Sequence, residues 1–317
     1  MHTSACISLL LVGISFLNFC PFCEMENVNL LLPTECLLSR LLLRYVGMSE
    51  QRMGKVKPIY VVYYVGFNSS SPVVVHVIPK GNVVRGVTSL GDEVFVVRWD
   101  NQQKIEVYDA KTFTVKRHIT VPGLNKWCPG LAACPYNNCL YASDSGTNGV
   151  HRVELSGSNA VMTWSVAGRP IGLSLNTDHN LIVVSGDKCK LQIFTTRGTL
   201  LQDIQLQADI ERPWHAVQLP ASSQFLVSHT RLLPGLLHRV CLVGVDGAVV
   251  RSYGGQWGSE LTQMNWPRCL AVDREGRVLV ADAGNNRLLV IDQSLSSAHE
   301  MTVSVDGDLK CPVETSS

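Results

Sequence analysis

Residues 266–292 read WPRCLAVDREGRVLVADAGNNRLLVID. Three short apolar runs, 269–272, 278–281 and 288–291, are separated by two polar turns, 273–276 and 283–286, rich in Asp, Asn and Gly. Such residues bend the chain back on itself, so the stretch predicts three consecutive antiparallel strands. The runs are almost wholly apolar instead of alternating with polar residues, which implies burial on both faces. A small sheet that is apolar on both faces needs a similar sheet on each side. The rest of the chain is therefore expected to hold copies of it.

Such copies are present. A first begins after Gly86, with β-prone runs at 87–90, 94–98 and 105–109 and turns at Gly91-Asp92 and Asp100-Asn101; Asp100 and Asp109 take the places of Asp282 and Asp292. The second, third and fourth begin at Pro129, Pro170 and Pro213, and the fourth carries an insertion over 231–237. The opening stretch, from Pro267, is the fifth. Further β-prone pieces at 114–120, 161–166, 200–206, 249–253 and 301–305 add a fourth strand to each copy. Four strands in every roughly 40 to 45 residues, with no helical stretch between, predict an all-β fold, a β-propeller with four antiparallel strands per blade. Five blades are recognisable. One more period from Pro267 reaches Pro312 and the chain stops at Ser317, so a sixth copy is only begun. A propeller closes its ring to avoid bare sheet edges. Either the β-prone runs at 59–65 and 73–78 complete the last blade, or the ring stays open.

With 317 residues, a formal net charge of +1 and 46% hydrophobic residues, the composition is that of an ordinary globular chain and gives no polyanion-binding tail. Residues 1–54 differ from the rest and read as a leader-like or disordered extension, leaving 55–317 for the propeller. The apolar run 7–19 has the length of a signal-peptide core, but no Lys or Arg precedes it and no small-residue cleavage site follows. It is too short to span a bilayer, and a second apolar patch, 30–43, contains Pro33, Glu35 and Arg40, so no stable membrane span is expected. The 11 cysteines are odd in number and several fall in predicted buried strands, which suits a reducing compartment. A cytoplasmic location is expected, with secretion the alternative if 7–19 is a signal core. The pair Cys20 and Cys23 has redox spacing without the βαβ pattern around it, and lacks the second pair of a structural zinc site. Asn68 heads a single sequon, which matters only for a secreted chain.

The residues from Pro267 to Asp292 resemble the NHL repeat: Pro and a small residue, an apolar run ending in Val272-Asp273, Gly276, an apolar pair followed by Ala281-Asp282, then Asn285, Arg287 and an apolar run ending in Asp292. The match is close in the fifth copy, good in the second and third, and loose in the first and fourth, covering about residue 85 to the C-terminus. The resemblance implies a ring of usually six blades, found in intracellular tripartite-motif and related RING-type ubiquitin ligases and in secreted enzymes. In such repeats Asp282, Asn286 and Arg287 are expected to be structural, locking the hairpin between second and third strands through bonds to turn amides.

No Gly-rich phosphate loop, Gly-x-Ser-x-Gly elbow or His-Glu-x-x-His motif is present, so no catalytic residue, metal site or cofactor is predicted. His215 is the exception to watch. It stands where the third and fifth copies place Gly172 and Cys269, on an innermost strand facing the channel, but a metal needs several converging ligands and the other copies supply none there. His151, His179, His229 and His238 are expected at turns or outer strands. Aromatic and basic residues beside the first Pro of each blade fall on one rim: Lys126, Trp127, Arg169, Arg212, Trp214, Trp266 and Arg268, with Trp99 at a neighbouring loop. Trp and Arg dominate binding hot spots, while indoles can equally pack between blades. The rim around Trp127, Arg169, Arg212, Trp214 and Arg268 is thus the candidate surface. A protein is the expected partner, RNA the second candidate and DNA is not expected. The resemblance suggests substrate recognition linked to ubiquitin ligation; lacking a RING, B-box or coiled-coil pattern, the chain would need a partner for ligase activity. The alternative is a secreted metal-dependent propeller lyase or lactonase-like hydrolase.

Overall fold

The computed structural model describes residues 40–46, 60–66 and 73–78 and, between 84 and 301, all but 99–102, 113, 126–129, 233–234, 274 and 286. Strands β1 (Arg40–Val46), β2 (Tyr60–Gly66) and β3 (Val73–Ile78) form one antiparallel sheet in the order β1-β2-β3. The first of these falls within the stretch read as an extension and pairs with a strand of the stretch read as propeller. The run 7–19, the Cys20 and Cys23 pair and Asn68 lie outside the described residues.

Five four-stranded antiparallel sheets follow, each built from strands consecutive in sequence. Blade 1 comprises β4 (Val84–Leu90), β5 (Glu93–Arg98), β6 (Lys104–Asp109) and β7 (Val115–Thr120). Blade 2 comprises β8 (Leu131–Cys134), β9 (Cys139–Asp144), β10 (Gly149–Glu154) and β11 (Val161–Ser165). In blade 3 the strands are β12 (Pro170–Leu175), β13 (Leu181–Ser185), β14 (Lys190–Phe194) and β15 (Leu200–Gln205). In blade 4 they are β16 (Pro213–Gln218), β17 (Phe225–Arg231), β18 (Leu237–Val243) and β19 (Val249–Gln256). Blade 5 has β20 (Pro267–Val272), β21 (Val278–Asp282), β22 (Arg287–Ile291) and β23 (Ala298–Glu300). The fold is an all-β propeller with four antiparallel strands in each of these five blades. The fourth strand of blade 5 is Ala298–Glu300, and residues 302–305 of the expected run 301–305 lie outside the described residues; in blade 4, β17 runs on to Arg231 and β18 starts at Leu237, so both strands reach the edges of the insertion.

The first strands of successive blades, β4, β8, β12, β16 and β20, are neighbours, so they line the centre. Second and third strands are the most deeply buried, while fourth strands such as β7 and β15 are largely exposed. Among the described residues, four apolar cores lie between blades, not within them. Phe95, Ile105 and Val107 of blade 1 meet Leu131, Leu140 and Val153 of blade 2. Tyr141 and Val150 of blade 2 meet Leu181 and Phe194 of blade 3. Ile182 and Leu191 of blade 3 meet Phe225 and Cys241 of blade 4, and Leu226 and Val240 of blade 4 meet Leu270 and Leu289 of blade 5. This is why the apolar runs are continuous: each blade is sandwiched.

The inner strands approach closely. A Cβ at Gly172 would come within 2.3 Å of the Trp214 carbonyl oxygen, and one at Gly130 within 2.6 Å of the Ile171 carbonyl oxygen. Hydroxyls stitch the blades across these contacts: Ser143 Oγ donates to Ile171 O (3.2 Å), Ser174 Oγ to Ala216 O (2.7 Å) and Ser228 Oγ to Arg268 O (2.7 Å). Buried carbonyls that the ladder leaves free are thereby satisfied.

Candidate binding site at the inner-strand rim

Inner strands β4, β12, β16 and β20 each show a register irregularity just after their first residue: between Val84 and Gly86, Pro170 and Leu173, Pro213 and His215, and Pro267 and Leu270. A bulge bends the strand and re-aims a side chain, and here it falls at the second inner-strand position. That position holds Arg85, Gly130, Ile171, Trp214 and Arg268 in blades 1 to 5. The repeat makes the backbone equivalent, and the side chains are not.

The residue preceding each proline-led strand sits at the rim. Arg169 and Arg212 are exposed. Arg169 is anchored through its backbone, whose N–H donates to Asp187 Oδ1 (2.6 Å) and whose carbonyl accepts from Gly186 N–H (3.1 Å). Arg212 and Trp266 have left-handed backbones (φ 44° and 55°), rare for such side chains and rarer still before proline. Strain of this kind concentrates where a side chain must be held in one direction. Trp127 lies outside the described residues.

Arg268 joins the last two blades. Its guanidinium carbon lies 3.3 Å from the centroid of the Trp214 ring and 5.2 Å from that of Trp266, with the two indoles edge to face at 6.3 Å. Trp214 is fixed by donation from Nε1 to Thr230 Oγ1 (3.3 Å). Trp266 is fixed by its backbone N–H, which donates to His238 Nδ1 (2.9 Å), and by edge-to-face contact with that imidazole at 5.7 Å. Arg268 is only 8% exposed and burial lowers its pKa to about 9, with the like charge of Arg85 acting in the same direction. Arg169 and Arg212 thus stand at the solvent edge of the rim. Trp214, Trp266 and Arg268 form a stacked cluster behind it.

His215 is enclosed. Its Nε2–H donates to the Leu173 carbonyl (3.0 Å) across the blade 3–blade 4 contact, its ring lies against the position a Gly172 Cβ would take, and burial pulls its pKa down to about 4. His179 is in a turn, stacked on Tyr136 at 4.5 Å. His229 departs from the expectation of a turn or outer strand: it is on the second strand of blade 4, fully buried, where Nε2 accepts from Arg239 Nε (2.9 Å). His151 and His238 are on third strands and also buried, His151 between Asp144 and Thr163. Inter-blade packing buries both faces of these strands, so histidines at their ends are covered by the next blade.

At the same end of blade 5, opposite Pro267, Asp282 is fully buried and accepts from Asn265 N (2.6 Å), Asn285 Nδ2 (2.7 Å) and Arg287 Nε (2.8 Å). Arg287 also donates to the carbonyls of Ser259, Glu260 and Gln263. Asn286 lies outside the described residues. Asp144 holds the matching hairpin of blade 2, accepting from Asn125, Gly146 and Thr147 amides. Among the described residues no group of His, Cys, Asp and Glu side chains converges as a metal site would.

A family model of the NHL repeat matches residues 264–291. The matched segment is the fifth blade, from just before β20 to the end of β22. No curated protein sequence matches the chain. Among solved structures it is similar to a chain of a nidogen/laminin complex, with a TM-score of 0.59 and 13% identity over 77% of this chain and 90% of that one. Virginiamycin B lyase from Staphylococcus aureus gives a TM-score of 0.56 at 12% identity, over 82% and 84% of the two chains. A protein of unknown function from Bacteroides caccae gives 0.53 at 14%, over 83% and 94%. At such identities the likeness is one of fold.

Sequence reasoning named the rim residues singly. It missed their supports: Thr230 and His238 carry no motif and reach Trp214 and Trp266 only through the fold.

Proposed function

We propose that the protein is a non-catalytic binding module, an NHL-type propeller that recognises a protein partner on the rim formed by Arg169, Arg212, Trp214, Trp266 and Arg268. The observation that carries this reading is the Trp214–Arg268–Trp266 stack, an aromatic and guanidinium anchor behind two exposed arginines. Rigid indoles and arginines lose little conformational freedom on docking and supply large contact areas, which is why they dominate interface energetics. Substrate recognition for a ubiquitin ligase, with the ligase activity on a partner chain, is the role the NHL resemblance favours. A cytoplasmic setting is supported by the thiols of Cys134, Cys139, Cys189 and Cys241, which form no disulfide. RNA is the competing ligand class for the same basic and aromatic surface.

The test begins with a partner identified by cross-linking and purified. The double variant Arg169→Ala/Arg212→Ala should bind it about tenfold more weakly or worse, since two hot-spot side chains are removed. Unchanged affinity for this partner and for single-stranded RNA would remove the rim from the account. The enzymatic alternative requires a metal, and His215 has already committed its Nε2–H to the Leu173 carbonyl. Stoichiometric zinc or calcium in the purified protein, lost in His215→Ala, would favour that alternative.

A further inference from the structure

The side chain of Arg268 has an unusual position for a charge. It is 8% exposed, its Nε is buried without a hydrogen-bond partner, and no acidic residue among the described ones pairs with it. A buried guanidinium is ordinarily stabilised by a carboxylate or by several carbonyls, because removing it from water otherwise costs more than packing returns. The Trp214 and Trp266 rings offset part of that cost through their faces. Stacking uses only the faces of the planar ion. The donors point outward in its plane, and they are left for something else.

Among the described residues no carboxylate fills that role. The equivalent inner-strand position of blade 1 is Arg85, whose charge acts on Arg268 as a like charge. The bulge at Pro267–Leu270 and the left-handed backbone of Trp266 hold Arg268 and its indole in this arrangement at some conformational cost. The unclaimed in-plane donors of Arg268 make a site whose natural complement is a compact oxyanion.

We propose that Arg268, stacked on Trp214 and bordered by Trp266, is the receptor for a small oxyanion, a carboxylate or a phosphate, bound through the in-plane edge of the guanidinium. The oxyanion accepts the N–H donors that the protein leaves free, while the indoles hold the fork in one orientation. A free anion satisfies the site as well as one carried on a docking partner, so the inference goes beyond the partner reading and stands if that reading fails.

The full-length protein, labelled with nitrogen-15, is titrated separately with inorganic phosphate and with acetate at constant ionic strength, sodium chloride making up the balance. The Arg268 Nε–H resonance and the Trp214 indole N–H resonance are followed. A saturable shift of the Arg268 signal is expected, with affinity about tenfold weaker or lost in Arg268→Gln and partly retained in Arg268→Lys, which keeps the charge but not the fork. Tighter binding of phosphate assigns a phosphoryl ligand, tighter binding of acetate a carboxylate, and equal binding a general oxyanion site. No movement beyond that seen in sodium chloride alone, or equal affinity in Arg268→Gln, overturns the proposal. If Arg268→Gln does not fold, the Arg268 resonance of the unaltered chain decides alone. Affinity of Arg169→Ala/Arg212→Ala for phosphate or acetate should be unchanged, which separates anion binding at Arg268 from partner contacts made by the two exposed arginines of the rim.

Discussion

Blade 5 contains two buried arginines in opposite circumstances. Arg287, with its side chain 7% exposed, lies between a fully buried Asp282 and three backbone carbonyls, so every direction of its fork is answered by the protein. Arg268, 8% exposed, meets two indole faces and no acid among the described residues. The first is how a repeat protein closes a turn. The second is a donor set that the fold itself does not use. Charge and burial do not separate structural from functional arginines; the state of the in-plane donors does.

The largest effect should come from Arg287→Met, which strands the Asp282 carboxylate in the interior. A loss of about 3–5 kcal/mol is expected in urea unfolding. Arg268→Met should instead change stability by less than about 1 kcal/mol or raise it, because no buried partner is abandoned. Equal losses for the two variants would break the comparison.

Next in size is Gly172→Ala, whose Cβ would meet the Trp214 carbonyl at 2.3 Å and force blades 3 and 4 apart. It should cost about 1–3 kcal/mol and disturb the indole of Trp214, seen as a change in its N–H resonance. Gly255→Ala is the control. A Cβ there meets nothing within 4 Å, so stability should hold within about 0.5 kcal/mol.

Acid should act on the buried histidines of blade 4 in particular. His215 and His238 are neutral in the fold, with pKa values lowered by burial to about 4 from an ordinary 6.5. The unfolded chain therefore binds more protons between pH 6.5 and 4. Stability is fully present above pH 6.5 and falls as pH drops through that window, by about 1.4 kcal/mol per pH unit for each imidazole. The Trp266 N–H can only donate, so His238 Nδ1 is the unprotonated nitrogen, and charging that ring removes the bond that positions Trp266. Urea unfolding at pH 7 and pH 5 should show a flatter profile in His215→Gln/His238→Gln. An unchanged slope would mean that these rings are not buried as neutral groups.

Much of the fold was legible because it rests on local chemistry. Asp273 to Gly276 and Asp292 to Ser297 show why: Asp273 Oδ1 accepts from the Glu275 and Arg277 amides, and Asp292 from the Ser296 and Ser297 amides, so each turn is written in the residues that make it. Burial on both faces was legible for the same reason, from runs such as 278–281. The site was legible only as a set of residue types. Trp214 and Arg268 are far apart in sequence and nothing between them announces that they stack. His229 was misplaced because the end of a long second strand reads like a loop when its partner strand is unknown.

The sequence by itself determined the period, the strand content and the family of turns, since four-stranded units with apolar faces and Asp-based hairpins are properties of contiguous residues. The three-dimensional arrangement alone decided which equivalent positions meet around the centre. The blades share one strand order but differ in side chain near the start of the inner strand, and only the packing of one blade against the next brings Trp214 over Arg268 and leaves that guanidinium with donors to spare.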